Sequence, residues 1–165
     1  MGLEAGVRIV NAVEVDPAML GEYLIEAWHS DAVAADGRLQ RPADYPGFAA
    51  VDADGVLRGH ASYEISESGC YVVAIAATPR AAGVGSRLLE AIVEAARAAG
   101  CGRVWLITTN DNLDALRFYQ RRGFRIVEVR PGAVDWARRT LKSSIPHVGS
   151  YGIPMRDELV LERAL

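Results

Sequence analysis

The chain has 165 residues, 50% of them hydrophobic and 24% charged, and its net charge at pH 7 is −3. These values are typical of one globular domain over residues 1–165, and the negative net charge argues against a protein that coats nucleic acid. No apolar run approaches the roughly 18 residues of a membrane span, the N-terminus lacks a secretory pattern, and Cys70 and Cys101 are too few for a disulfide framework. We therefore expect a cytoplasmic protein without nucleic-acid or membrane partners.

Hydrophobic periodicity predicts strands and helices that alternate along most of the chain. The predicted strands cover residues 7–15, 48–51, 56–65, 71–77, 104–108, 124–129 and 158–162. The predicted helices cover residues 17–28, 83–99, 112–122 and 133–142. Residues 31–46 break twice at proline and are expected to form a short helix and loops. The order is a β-α start, an antiparallel meander, a strand-helix-strand-helix-strand segment and a final strand, which indicates a mixed sheet.

A glycine-containing loop over residues 78–86 joins a buried strand to an amphipathic helix. Small residues such as Gly83 and Gly85 let backbone N–H groups approach a ligand closely. The N-terminus of the following helix adds unpaired N–H donors and a partial positive charge, and together these features favour a phosphate cradle. Arg80 can add a charge-assisted contact.

Three glycine-loop patterns compete for residues 78–86, namely a P-loop, a Rossmann loop and Arg-x-x-Gly-x-Gly. A P-loop is rejected, because Ser86 is followed by Arg87 and the required lysine is missing. A Rossmann loop fits poorly, because Leu88 stands where the third glycine belongs. The pattern Arg-x-x-Gly-x-Gly is matched in full, whereas a tight strand-to-helix turn is an alternative that the loop alone leaves open.

A second group of residues follows the next predicted strand, over residues 110–124. Asp111 or Asn112 can cap the helix that begins there. Four side chains then share one side of that helix: Ala115, Phe118, Tyr119 and Arg122. For Phe118, packing in the core is the favoured interpretation.

In this order and spacing, the two motifs resemble those of the GNAT superfamily of N-acetyltransferases. The segment Arg80-x-x-Gly83-x-Gly85 is similar to the pyrophosphate loop of that superfamily. The segment Asn112-x-x-Ala115-x-x-Phe118-Tyr119-x-x-x-Gly123-Phe124 is similar to its second cofactor motif. The resemblance covers nearly the whole chain, and residues 152–158 also resemble the closing segment of small bacterial acetyltransferases of unassigned substrate.

The resemblance implies a fold and a co-substrate. The fold is α+β, a mixed and mostly antiparallel twisted sheet of about seven strands with helices on both faces. The strands over residues 71–77 and 104–108 are expected to splay apart, so that the pantetheine arm of acetyl-CoA pairs with the backbone of Ile75 and Ala77. A backbone N–H near Ile75 or Ala76 would receive the acetyl carbonyl. No metal is implied.

The resemblance also assigns the remaining cofactor contacts. The pyrophosphate would lie on the backbone N–H groups of Arg80, Ala81, Ala82, Gly83, Val84, Gly85 and Ser86. The rest of the cofactor would contact Asn112, Ala115, Phe118 and Tyr119.

The implied reaction is the direct attack of an acceptor amine on the thioester, without a covalent enzyme intermediate. The leaving thiolate needs a proton, and Tyr119 lies where the superfamily places its general acid, although packing against the cofactor is an alternative role. Many relatives carry an acidic base on the strand that is predicted here over residues 71–77, and this chain has no carboxylate there. Glu64 and Glu26 are candidate bases, His29 is another, and a water relay is equally open.

The acceptor is expected to bind between residues 23–48 and residues 131–157, and to be a small-molecule or amino-acid-like amine. An aromatic lining can come from Trp28, Tyr45, Trp136 and Tyr151. A cationic amine can be attracted by Glu26, Asp31 or Asp135. Superfamily members often dimerise, so a homodimer is compatible with the resemblance.

Other interpretations stay open at this point. A non-catalytic CoA-binding or regulatory domain would keep the same fold, and the missing strand carboxylate favours it. A different nucleotide-binding domain would bind NAD or ATP instead of CoA. The basic cluster of Arg117, Arg121, Arg122 and Arg125 can help to hold nucleotide phosphates, but a solvated basic face is the favoured interpretation.

Overall fold

A seven-stranded sheet forms the centre of the computed structural model, which describes residues 6–78 and 83–165. The sheet contains β1 (Arg8–Asn11), β4 (Gly47–Val51), β5 (Leu57–Ser66), β6 (Gly69–Ala77), β7 (Arg103–Thr109), β8 (Arg125–Arg130) and β9 (Glu158–Ala164). A separate hairpin consists of β2 (Val33–Ala35) and β3 (Arg38–Gln40). The helices are α1 (Pro17–Trp28), α2 (Val84–Ala98), α3 (Leu113–Gln120) and α4 (Ala133–Thr140).

The strand order in the sheet is β1-β4-β5-β6-β7-β9-β8. Every neighbouring pair is antiparallel except β6 and β7, which are parallel. The predicted mixed and mostly antiparallel sheet is therefore confirmed. Apart from the two segments described below, the predicted elements differ from the observed ones by only one or two residues at each end.

Helices cover both faces of this sheet, as the resemblance implies. On one face α2 contributes fully buried side chains to the main core, among them Leu88 and Ile92. Gly59 of β5 allows this close packing, because a Cβ at that position would lie 2.8 Å from the side chain of Leu88. On the other face α1 buries Leu20 and Leu24 in a second cluster.

Local chemistry sets the start of α1 and the end of α2. The carboxylate of Asp16 accepts hydrogen bonds from the N–H groups of Ala18 and Met19, at 2.9 and 3.0 Å, and Pro17 is the first residue of α1. Gly100 follows the end of α2 with a φ of +76°, a conformation that favours glycine. Both features agree with the signals in the sequence.

One prediction was wrong and another was incomplete, and turn chemistry explains both. The first strand was expected to reach residue 15, but it ends at Asn11, whose side chain accepts from the N–H of Val13 while its own N–H donates to Glu14. This reciprocal cap begins a 3₁₀ turn. Residues 31–46 were expected to hold a short helix and loops, and a short 3₁₀ helix is present over Pro42–Asp44. The β2–β3 hairpin was not expected; Asp36 and Gly37, with φ of +55° and +70°, form its turn.

Candidate active site

The parallel strands β6 and β7 separate after a short paired stretch. They pair only where Cys70–Val72 lie opposite Val104–Leu106. Beyond that point β6 continues to Ala77 while paired with β5, and β7 continues to Thr109 while paired with β9. Within the described part of the chain, the facing edges of β6 and β7 are therefore unpaired over this stretch, and a gap opens between them.

A β-bulge in β6 lies at the point where the gap begins. Ser62 of β5 is opposite Ala74 and the next residue, Tyr63, is opposite Val72, so Val73 is an extra residue in β6. The bulge reverses the alternation of side chains. Val72 faces α2 before the bulge, Val73 faces the opposite side, and after it Ile75 packs on the α2 side.

The backbone groups of Ile75 and Ala77 are directed into the gap. The N–H of Thr78 donates to the carbonyl of Arg58 in β5 at 2.7 Å, so the backbone of Thr78 faces β5. Backbone groups alternate in direction along a strand, which means that Ala76 also faces β5 while Ile75 and Ala77 face β7. The gap thus has an edge with free hydrogen-bonding groups where the sequence predicted one.

The N-terminus of α2 lies at the end of β6. Gly83 precedes the helix with a φ of +74°. A Cβ on Gly85 would lie 3.5 Å from the ring of Phe118 and 3.9 Å from the Cβ of Ala77, so α2, α3 and β6 meet at this position. Gly83, Val84, Gly85 and Ser86 are thus next to the gap, whereas the predicted contacts Arg80, Ala81 and Ala82 lie outside the described residues.

Arg122 connects the end of α3 to the first turn of α2. Its Nε and Nη2 atoms donate to the Oγ of Ser86 at 3.0 and 2.5 Å, and its Nη1 donates to the carbonyl of Phe118 at 2.8 Å. The guanidinium carbon also lies 3.8 Å from the centre of the Phe118 ring. The favoured interpretation of a solvated basic face is therefore wrong for Arg122, although its companions Arg117, Arg121 and Arg125 are exposed.

Asn112 is the cap of α3. Its Oδ1 accepts from the N–H of Ala115 at 3.2 Å. Asp111, the other predicted cap, is buried and accepts instead from the hydroxyl of Thr109 at 2.5 Å and from the N–H of Ser150 at 2.8 Å. Asp111 therefore fixes the C-terminal loop against the end of β7.

Tyr119 is buried in the main core, between two aromatic rings. Its ring centre lies 5.1 Å from that of Phe118 and 5.5 Å from that of Phe124, both in edge-on arrangements. Among the described residues its hydroxyl has no hydrogen-bond partner. Burial raises the pKa of Tyr119 well above its usual range, so the phenol is protonated at neutral pH. The hydroxyl is a proton donor in an apolar setting.

The candidate bases are not buried beside the gap. Glu64 is half-buried and pairs with Arg38, with 2.6 Å between Oε2 and Nη2. Glu26 and His29 are exposed on and after α1. Of the carboxylates expected to attract an amine, Asp31 pairs with Arg41 and Asp135 with Arg138.

Aromatic side chains line the face of the sheet opposite α2. Trp28 and Tyr45 are half-buried there, whereas Trp136 and Tyr151 are exposed near the C-terminal loop. The hydroxyl of Tyr23 in α1 lies 3.5 Å from that of Thr78, which connects α1 to the end of β6. The contact places Tyr23 next to the end of β6, beside the gap.

A buried carboxylate that was not among the expected site residues lies at the level of the gap. Glu158 is 4% exposed and lies opposite Thr109, the last residue of β7. Burial raises the pKa of Glu158, and Arg130, with 3.8 Å between Nη1 and Oε2, opposes that effect. The sequence signal is weak, because Glu158 and Glu162 share one side of β9 with Val160, and two glutamates on a side are typical of an exposed one.

No three His, Cys, Asp or Glu side chains come together as metal ligands in residues 6–78 and 83–165. In the same residues no helix has the length and apolarity to cross a membrane.

Comparisons with known proteins agree with this geometry. The sequence model of the acetyltransferase (GNAT) family matches residues 15–124. YdhI of Bacillus subtilis is 36% identical over 157 residues, which are 95% of this chain and 98% of that protein. Streptothricin acetyltransferase of Streptomyces lavendulae is 38% identical over 93 residues, covering 54% of this chain and 49% of that protein. The solved structure of a Bacillus subtilis acetyltransferase in complex with CoA has a TM-score of 0.72 at 20% identity, and the match covers 96% of this chain and 99% of that one. The chain belongs to the GNAT acetyltransferase family.

Proposed function

We propose that this protein transfers an acetyl group from acetyl-CoA directly to an amine of a small-molecule or amino-acid-like acceptor. The observation that carries the proposal is the gap between β6 and β7, with the N-terminus of α2 at its end. An extended pantetheine arm can pair with the backbone groups of Ile75 and Ala77, and a pyrophosphate can accept from the N–H groups of the first turn of α2. The CoA bound to the Bacillus subtilis acetyltransferase of similar fold supports this assignment.

The residues around the gap fit the other parts of acetyl-CoA. Arg80, Ala81, Ala82, Gly83, Val84, Gly85 and Ser86 would hold the pyrophosphate. Asn112 uses its Oδ1 for the helix cap, which leaves its amide N–H groups for the cofactor arm. Ala115 and Phe118 form an apolar wall beside it. A backbone N–H near Ile75 or Ala76 would stabilise the charge that develops on the acetyl oxygen.

In this proposal Tyr119 donates the proton that the leaving thiolate takes up. The raised pKa of Tyr119 makes it a weaker acid, but the same core also makes a thiolate less stable. Burial raises the pKa of Cys70, a thiol in that core, to about 12. The pKa values of the phenol and of the thiol are thus both raised, and proton transfer between the two groups stays feasible.

Two observations support a small amine as the acceptor. Streptothricin acetyltransferase, which matches half of the chain, is named for a small-molecule acceptor. The face opposite α2 combines the half-buried Trp28 and Tyr45 with the buried carboxylate of Glu158, and this composition suits a cationic amine.

Calorimetric titration of purified protein with acetyl-CoA, CoA, NAD and ATP tests the cofactor assignment. Acetyl-CoA at 100 times its Kd should stabilise the protein by about 2.7 kcal/mol, which a thermal shift detects. A preference for NAD or ATP would disprove the proposal. Thiol release with a panel of amines then separates an enzyme from a CoA-binding domain without catalysis, the alternative that the absence of a carboxylate from β6 favours.

A further inference from the structure

Two polar side chains of β5, those of His60 and Ser62, point to the face of the sheet that α1 covers. Their neighbours Gly59 and Ala61 face α2. Ala61 packs in the cluster of Leu88, and a Cβ on Gly59 would lie 2.8 Å from the side chain of Leu88. Because side chains alternate along a strand, His60 and Ser62 lie on the opposite face.

Both side chains are buried, and neither has a hydrogen-bond partner among the described residues. His60 is 1% exposed with both ring nitrogens unpaired, and the hydroxyl of Ser62 is also unpaired. The indole N–H of Trp28, from α1 above this face, is a third such group. Buried polar groups in native proteins nearly always have partners, and those that lack one in the protein are held by water or a ligand. Water or a ligand is therefore the expected partner of these three groups.

Small residues stand opposite His60 and Ser62 in both neighbouring strands. Residues that are opposite each other in a ladder share a face of the sheet. The residues opposite His60 and Ser62 are Ala49 and Gly47 of β4, and Ala76 and Ala74 of β6. Trp28 packs in the cluster that contains Ala49, so α1 covers this face of the sheet next to His60.

His60 and Ser62 lie next to the part of β6 that borders on the gap between β6 and β7. Ala74 and Ala76 follow the bulge at Val73, in the part of β6 that β7 does not pair with. Neighbouring strands lie about 4.8 Å apart, so His60 is one strand away from the backbone segment at which the acetyl carbonyl is expected.

We propose that His60, with water held by Ser62 and Trp28, is the proton-relay residue that receives the proton of the acceptor amine. The inference rests on the proposed acetyl transfer. It supplies the proton acceptor that Glu64, paired with Arg38, and the exposed Glu26 do not.

In this relay the lone pair of the neutral acceptor amine forms the C–N bond to the thioester carbonyl carbon. The nitrogen becomes cationic and acidic as that bond forms, one of its N–H bonds breaks, and the proton passes through water to an unpaired ring nitrogen of His60. The C–S bond breaks, the thiolate takes the proton of Tyr119, and the phenolate is reprotonated from solvent while His60 passes its proton to solvent. Burial lowers the pKa of His60 to about 4, so the ring is neutral before the step and, as a weak base, does not keep the proton afterwards.

The first test substitutes His60 and measures three properties of each variant. His60→Leu should lower the turnover number at least about tenfold. Its Kd for acetyl-CoA should stay unchanged, and its Tm should not fall, because an apolar side chain replaces a buried and unpaired polar one. Should His60→Leu fail to fold, His60→Gln replaces it: this side chain keeps hydrogen-bonding groups but cannot carry a proton, and the same loss of turnover is expected.

Two further variants and one control separate a relay from a structural role. Added imidazole should restore turnover to His60→Ala in proportion to its concentration. Ser62→Ala should also lower turnover, whereas Ser66→Ala, on the same strand but exposed and bonded to Ser68, should match the wild type.

Undiminished turnover in the His60 variants would overturn the inference, and so would a loss of turnover with an equal loss of acetyl-CoA binding. A wild-type protein that binds no acetyl-CoA, or acetylates no amine, would instead disprove the proposed function.

Discussion

The hydroxyl of Ser86 in the first turn of α2 receives two hydrogen bonds from the guanidinium of Arg122, two residues beyond α3. Because the same guanidinium also donates to the carbonyl of Phe118, the start of one helix is fixed against the end of another. This contact lies at the end of the gap, where the N–H groups of α2 would hold a pyrophosphate.

Arg122→Met should weaken acetyl-CoA binding. The substitution removes both hydrogen bonds to Ser86, so the first turn of α2 is no longer held in place. Hydrogen bonds to charged groups contribute about 1.5–3 kcal/mol, and we expect the Kd for acetyl-CoA to rise about tenfold in calorimetry. The matched control is Arg121→Met at the exposed neighbouring position, and equal effects of the two variants would contradict the prediction.

Tyr119→Phe should separate catalysis from binding. The change removes one buried hydroxyl and keeps the packing against Phe118 and Phe124. Turnover should fall at least about tenfold, while the Kd for acetyl-CoA and the Tm stay close to those of the wild type. Steady-state kinetics and calorimetry on the same preparation check this, and full turnover would remove the proposed role of Tyr119 as an acid.

The stability of the protein should depend on His60 in a defined pH window. Burial lowers the pKa of His60 from 6.5 to about 4, so between these values the unfolded chain binds more protons than the folded one. The free energy of unfolding should therefore fall by roughly 3 kcal/mol as the pH decreases from 6.5 to 4. Urea unfolding at several pH values measures this pH dependence of the free energy of unfolding. In His60→Leu the part that comes from His60 should be absent, and only the part that comes from carboxylates should remain. Parallel curves for both proteins would contradict the prediction.

Two glycine-to-alanine substitutions should have opposite effects on stability. In Gly59→Ala the new Cβ meets Leu88 and Val84 at 2.8 Å and the carbonyl of Ala76 at 3.0 Å, so a loss of about 1–3 kcal/mol is expected. In Gly21→Ala nothing lies within 4 Å of the new Cβ inside α1, so a gain of about 0.5–1 kcal/mol is expected. Chemical denaturation of both variants measures the difference, and a stabilised Gly59→Ala would show that the α2 contact is not tight.

Much of the fold was predictable because its signals are local. The apolar period of α2, the cap at Asp16 and the alternation along the strands depend on residues within a few positions of one another. The β2–β3 hairpin was missed although Asp36-Gly37 is a local turn signal, because the prolines that follow suggested loops. Its strands are only three residues each, too short for a clear alternation.

The site was less predictable because its decisive contacts join distant parts of the chain. Arg122 lies four residues from Phe118, so their contact follows from helical spacing, but Ser86 is 36 residues away in sequence. The burial of His60 depends on the pairing of β5 with both β4 and β6. No pattern within β5 distinguishes a buried histidine with unpaired ring nitrogens from one whose nitrogens are hydrogen-bonded.

The bulge makes β6 tolerant of a change in its length. Val73 and Ala74 both face the side of the sheet opposite α2, so deleting Val73 would restore regular alternation in β6 and leave Ile75 and Ala77 on the α2 side. The loss of one codon here would therefore shorten the strand by one residue without exchanging the side chains that pack against α2.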